Sequence, residues 1–99
     1  MTRGGSVYIL TNKNHTVLYI GVTSNLFNRI SEHRSGVYNT SFTKRYNLEL
    51  LIYFENFSSI EEAINREKEI KKWSRKKKEK LINRKNPLWN DLSCDISEY

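Results

Sequence analysis

Tyr8 and Tyr19 are the residues whose placement points first to chemistry. They sit in two short apolar runs, Ser6-Val7-Tyr8-Ile9-Leu10 and Val17-Leu18-Tyr19-Ile20-Gly21-Val22, separated by the polar hexapeptide 11–16. Such a pair of runs reads as a β-hairpin. Side chains alternate between the faces of a strand. If Val7 and Ile9 pack on the core with Leu18 and Ile20, both phenols stand side by side on the other face. Paired phenols beside a loop of a basic protein suit chemistry at a phosphate. A phenol with a pKa of about 10 becomes a useful base at neutral pH only when a cation or hydrogen bond favours its charged form. The ordinary alternative is a pair of core tyrosines with satisfied hydroxyls.

Arg29 and His33 are spaced i, i+4 and so share a helix face, with Leu26 on the same side. An arginine there can clamp a phosphate with its planar fork and offset transition-state charge. A histidine there can accept or relay a proton near neutral pH. The structural alternative is a surface arginine and a histidine partnered by Glu32 or Glu55. Glu67 falls four residues after Ala63 and three before Ile70, which puts a carboxylate on the apolar stripe of a helix. Burying that charge is costly unless it is paired or holds a metal, and magnesium prefers oxygen ligands. On spacing alone, a Glu at the stripe's edge paired with Lys71 or Arg66 is the stronger reading.

The elements that would position these groups are legible. Thr23-Ser24-Asn25 offers an N-cap for a helix through about Ser35, closed by Gly36. Residues 37–47 read as a loop, in which Lys44 and Arg45 could touch nucleic acid. The run 48–54 is nearly all apolar and reads as a third strand, central or best covered. Ser59-Ile60-Glu61-Glu62 is a capping box opening a second helix, with an apolar stripe of Ile60, Ala63, Ile64, Ile70 and Trp73. Ser74 can cap a further helix carrying Leu81 and Ile82, ended by Pro87 and its effect on Asn86. Trp73 and Trp89 read as packing aromatics, and Gly21 as backbone room where a substrate approaches. The fold class expected is α+β: a small three-stranded, mostly antiparallel sheet flanked by helices. One domain spans 1–92, followed by a polar tail at 93–99.

Composition narrows the function classes. Ninety-nine residues, 37% hydrophobic, allow one modest core. There is no long apolar run and no apolar N-terminal core of a secretion signal, so a cytoplasmic protein with no membrane role is expected. The single cysteine, Cys94, permits no internal disulfide. Net charge is +6, and residues 66–85 hold 11 Lys or Arg against 3 Glu, leaving the remainder slightly acidic. A patch of that kind attracts phosphate backbones. Lys71, Lys72, Arg75, Lys76, Lys77 and Lys78 are the candidate contacts, and a solvated helix face is the alternative.

The chain also resembles the GIY-YIG nuclease family, in particular its small single-domain bacterial members. The first motif stands as Ser6-Val7-Tyr8, with Ser and Val in place of Gly and Ile, and the second is intact as Tyr19-Ile20-Gly21. Arg29, Glu32-His33, Gly36, Ala63, Glu67, Ile70-Lys71, Trp73-Ser74-Arg75 and Asn86-Pro87-Leu88-Trp89 follow in order. The resemblance covers roughly 5–92. It implies a Mg²⁺- or Mn²⁺-dependent endonuclease acting on DNA or structured nucleic acid, with Glu67 as metal ligand. It further implies Tyr8 and Tyr19 activating water and orienting phosphate, Arg29 and His33 as catalytic partners, and Asn86 helping to hold the site. Many family nucleases take their targeting from attached modules, so a protein partner is one expectation, and a nucleic-acid-binding module without catalysis is the rival reading.

If the lysine run grips duplex DNA, changing Lys76, Lys77 and Lys78 to Gln flattens the slope of log affinity against log salt. The expected change is about 0.9 for each phosphate that the run neutralises. An unchanged slope would make the run a solubility surface.

Overall fold

The hairpin forms where the polar hexapeptide separates the two apolar runs. β1 (Gly5–Thr11) pairs antiparallel with β2 (Leu18–Thr23), setting Tyr8 opposite Gly21 and Leu10 opposite Tyr19. The turn is tied down by Asn12, whose Oδ1 accepts from the backbone N–H of Thr16 (2.8 Å) and of Val17 (3.1 Å). The structure is a computed structural model describing residues 4–35 and 47–96, with 33–35 described by backbone alone. Gly36, Lys44 and Arg45 lie outside the described residues.

Alternation sorts the sheet into two layers, as the patterning requires. One face carries Val7, Ile9 and Ile20, packed on Ala63, Ile70, Leu81 and Ile82. These last four belong to α2 (Ile60–Lys71) and α3 (Arg75–Lys85). The other face carries Tyr8, Leu10 and Leu51 against Leu26 and Ile30 of α1 (Leu26–Ser35), with Tyr19 half-buried beside them. The helices start where their caps stand. Asn25 Oδ1 accepts from the N–H of Asn28 (3.0 Å), Ser59 from that of Glu62 (3.3 Å) and Ser74 from that of Lys77 (3.2 Å).

The third strand differs from expectation in place and extent. β3 spans Leu50–Phe57, and the sheet order is β2-β1-β3, so β1 is central and β3 is an edge. Its apolar run has two other causes. A bulge leaves Ile52 as an extra residue between the Ile9–Tyr53 and Leu10–Leu51 pairs, so Ile52 and Tyr53 both serve the core beneath α2 and α3. Its outer edge is also sealed. The Leu92 N–H donates to the Leu51 carbonyl (2.7 Å), Asp91 Oδ1 accepts from the Leu51 N–H (3.2 Å), and Asn86 Nδ2 donates to the Ile52 carbonyl (2.9 Å). An edge strand so covered has fewer unpaired groups to recruit another chain. α2 ends at Lys71, so Trp73 lies in the link to α3 rather than on the helix. The expected tail begins as a short 3₁₀ turn, Ser93–Asp95, followed by Ile96, which packs on the α1 layer.

Asn86 is buried and uses both ends of its amide: Nδ2 also donates to the Asn90 carbonyl (2.9 Å), and Oδ1 accepts from the Asn90 N–H (3.1 Å). Asn86→Ala strands the buried Ile52 carbonyl and should cost roughly 2–3 kcal/mol in urea denaturation. A loss below about 0.5 kcal/mol would show that this tie does not hold the edge.

Candidate active site and basic groove

The hairpin register brings the phenols together. The Tyr8 and Tyr19 ring centroids are 6.4 Å apart, with the rings tilted by 48°. Tyr8 is 1% exposed, whereas Tyr19 reaches the surface. Gly21 explains how the ring of Tyr8 fits: a Cβ there would stand 2.5 Å from Tyr8 Cζ and 2.6 Å from its Oη. The space expected for a substrate at Gly21 is therefore filled by Tyr8 itself. Ser6, which stands where the family has glycine, is accommodated by donating to Asn56 Oδ1 across the β1–β3 pair (2.6 Å).

α1 covers this same face, and Arg29 sits between its buried Leu26 and Ile30. The Arg29 side chain is partly exposed, with Nε 3.8 Å from Glu32 Oε1. His33 follows one helical turn later in the backbone; its side chain lies outside the described residues.

Glu67 belongs to the other layer. Its helix, α2, packs against β1 and β2 on the face opposite the phenols. The Glu67 side chain is only 14% exposed, and Oε2 lies 2.7 Å from Lys71 Nζ. The stripe position and the Lys71 pair are thus both present. Among the described residues no group of three or more His, Cys, Asp or Glu is gathered to hold a metal. A site at Glu67 would offer one protein carboxylate, with water and substrate phosphate completing the shell, which is a common way to bind magnesium. The Lys71 ammonium would have to swing away, and at the end of a flexible, half-exposed side chain it can.

The neighbouring Arg66 is committed elsewhere. Its guanidinium forks onto Glu55 (Nε–Oε1 3.0 Å, Nη2–Oε2 3.1 Å) and reaches Glu69 Oε1 (2.9 Å), while the Tyr53 hydroxyl donates to Glu55. Burial alone would raise the pKa of Glu55, but the Arg66 and Tyr53 hydrogen bonds outweigh it and hold the carboxyl below its ordinary value. Burial first, and then the Glu55 charge and hydrogen bond, push the Tyr53 phenol above the ordinary range.

The basic segment divides by partner. Arg75 is structural: Nη1 and Nη2 donate to the carbonyls of Thr16 (2.8 Å) and His15 (2.6 Å), pinning α3 to the hairpin turn, and Nε pairs with Glu79 (2.8 Å). His15 packs against Trp89 beside it, with centroids 5.0 Å apart and the rings tilted by 38°. Lys71 is paired with Glu67, Lys72 is exposed, and Lys78 is half-buried. Lys76 and Lys77 line a groove with Trp73, Arg66, Lys80 and Arg84. Sequence reasoning missed the last three cations and the groove. The i, i+4 spacing of Lys76, Lys80 and Arg84 was the available signal.

The sheet order, the hairpin-borne phenols and the flanking helices are those of a small α+β nuclease-type domain. A family model described as the GIY-YIG catalytic domain matches residues 4–81, and the chain belongs to that family. GIY-YIG nucleases generally use divalent metal ions, and the domain implies a nucleic-acid substrate. The chain is 41% identical over 81 residues to a UPF0213 protein of Syntrophus aciditrophicus, covering 82% of this chain and 91% of the relative. It is 43% identical over 76 residues to a UPF0213 protein of Staphylococcus haemolyticus, covering 77% and 90%. The solution NMR structure of the UPF0213 protein BH0048 from Bacillus halodurans has the same fold, with a TM-score of 0.56, 34% identity, and coverage of 89% of this chain and 92% of that one. Among the described residues no helix is long and apolar enough to cross a membrane.

Because the pKa of Glu55 is lower in the folded protein than the ordinary 4.5, its pairing stabilises the fold above that pH and is lost as pH falls through the folded value. Glu55→Gln should therefore lessen the fall of the urea midpoint below pH 4.5. An identical acid profile in the variant would remove Glu55 as a contributor.

Proposed function

We propose that the protein is a divalent-metal-dependent endonuclease that hydrolyses a phosphodiester of DNA or structured nucleic acid. The observation that carries this reading is the Tyr8–Tyr19 pair, with Tyr8 packed over Gly21, within the matched GIY-YIG domain. The reaction is an in-line attack of water on phosphorus. A P–O bond forms to the water oxygen, and the bond to the leaving sugar oxygen breaks. Tyr19, the phenol that reaches the surface, meets the water and takes its proton, and His33 on α1 relays it. Tyr8, being buried, orients Tyr19. Arg29 offsets charge on the phosphate. Glu67 would hold Mg²⁺ or Mn²⁺, and the ion would supply Lewis-acid charge at the phosphate oxygens. Among the described residues β2 is an edge strand of the sheet, and substrate meets the phenol layer and α2 by wrapping that edge. Asn86 acts at a distance, by holding β3 in place. Lys72, Lys76, Lys77 and Lys78 contact phosphates and carry little base information. The protein works in the cytoplasm, with targeting supplied by a partner.

A second reading, nucleic-acid binding without catalysis, is favoured by one observation: Lys71 holds the Glu67 carboxylate.

Purified protein is expected to cut labelled DNA with Mg²⁺ or Mn²⁺ and to stop on chelation. Glu67→Ala should lower the cleavage rate by roughly 10²-fold or more while DNA binding persists. Wild-type protein that cuts none of duplex, single-stranded and branched substrates would leave the binding module as the function.

A further inference from the structure

We propose that the groove between α2 and α3 is a binding track for single-stranded nucleic acid, separate from the phenol face. This rests on the nucleic-acid part of the reading above but not on catalysis.

The groove has a volume of about 460 Å³ and a tryptophan in its wall. It meets a second hollow of about 330 Å³ at the shared residues Arg66, Leu81 and Arg84, where Lys85 adds another cation. Lys76, Lys80 and Arg84 recur one helical turn apart along α3, about 6 Å per step. That step is comparable to the spacing of phosphates along an unstacked strand. None of the three makes an ion pair with a described residue, whereas Arg66 is offset by Glu55 and Glu69. The field along the groove is therefore set by α3.

Trp73 determines which form of nucleic acid fits. Lys77 Nζ stands 4.4 Å from the centroid of its ring and Arg66 Cζ 5.2 Å, so its π-surface is presented to the cations of the groove. An exposed, long-stemmed lysine can shift to a phosphate while a base takes its place on the indole. Stacking on an aromatic side chain needs an unpaired base, because a duplex hides the base faces in its own stack. A duplex can use the lysines but not Trp73. The two requirements together, a row of cations and an aromatic platform, are those of single-strand binding.

The test uses the full chain in chelator, with fluorescein-labelled oligothymidylate, a duplex of equal length and free thymidine monophosphate. Trp89→Phe leaves Trp73 as the sole tryptophan reporter. Oligothymidylate should quench Trp73 as it binds. Trp73→Leu should weaken that binding roughly 5- to 100-fold with little effect on the duplex, and Trp73→Phe should retain most of it. Lys80→Gln with Arg84→Gln should flatten the salt slope by about 0.7 for each phosphate neutralised on a single strand. The proposal is overturned if oligothymidylate binds without quenching Trp73, or if a folded Trp73→Leu binds it as wild type does. It is also overturned if the monophosphate binds as tightly as the oligomer, which would make the groove a nucleotide pocket. Should Trp73→Leu fail to fold, the quenching and the salt slope decide. Cleavage without a Trp73 response removes the track and leaves the nuclease. Quenching without cleavage on added metal does the reverse.

Discussion

β1 has a strand on each edge and a packed layer on each face, and none of its seven residues reaches water beyond a trace. That constraint sets the terms for its neighbours. α2 approaches so closely that a Cβ on Gly5 would stand 2.9 Å from that of Ala63. On the opposite face Tyr8 needs space that only a glycine in β2 leaves, and the register supplies Gly21. A larger residue at either place would force a layer away from the sheet in an interior with no slack.

The edges of the sheet are treated differently. β3 is sealed by backbone and side-chain hydrogen bonds from the segment after α3, with Asn86 at the centre. Arg75 clasps the hairpin turn by its two exposed carbonyls. The Arg75 tie comes from a segment that a linear reading treats as a binding surface. Much of the remaining charge faces solvent, and Lys76, Lys77, Lys80 and Arg84 of it line the groove.

The plane of the sheet thus separates two kinds of surroundings. The α1 side gathers rigid phenols and an arginine, in the buried and partly buried surroundings where electrostatic effects are strong. The α2–α3 side gathers exposed cations around an indole, where salt screens each charge. Glu67 belongs to the second side by its helix.

Much of this was written in local patterns. Alternation alone paired Tyr8 with Tyr19 on one face, because the period of a strand is two wherever its partners lie. Asn25, Ser59 and Ser74 marked three helix starts, because a cap depends on backbone groups only two or three residues away. Spacing put Glu67 on the buried stripe of its helix. The tertiary structure decided what depends on segments distant in sequence. It made β1 central and β3 an edge, since an apolar run is equally consistent with a covered edge and an extra residue at a bulge. It chose which cations stay available, because Arg75 meets His15 and Thr16, and Arg66 meets Glu55, only when the chain folds back. It also placed Trp73 in the link after α2, where it packs against the core and lines a groove that exists only where α3 returns beside α2.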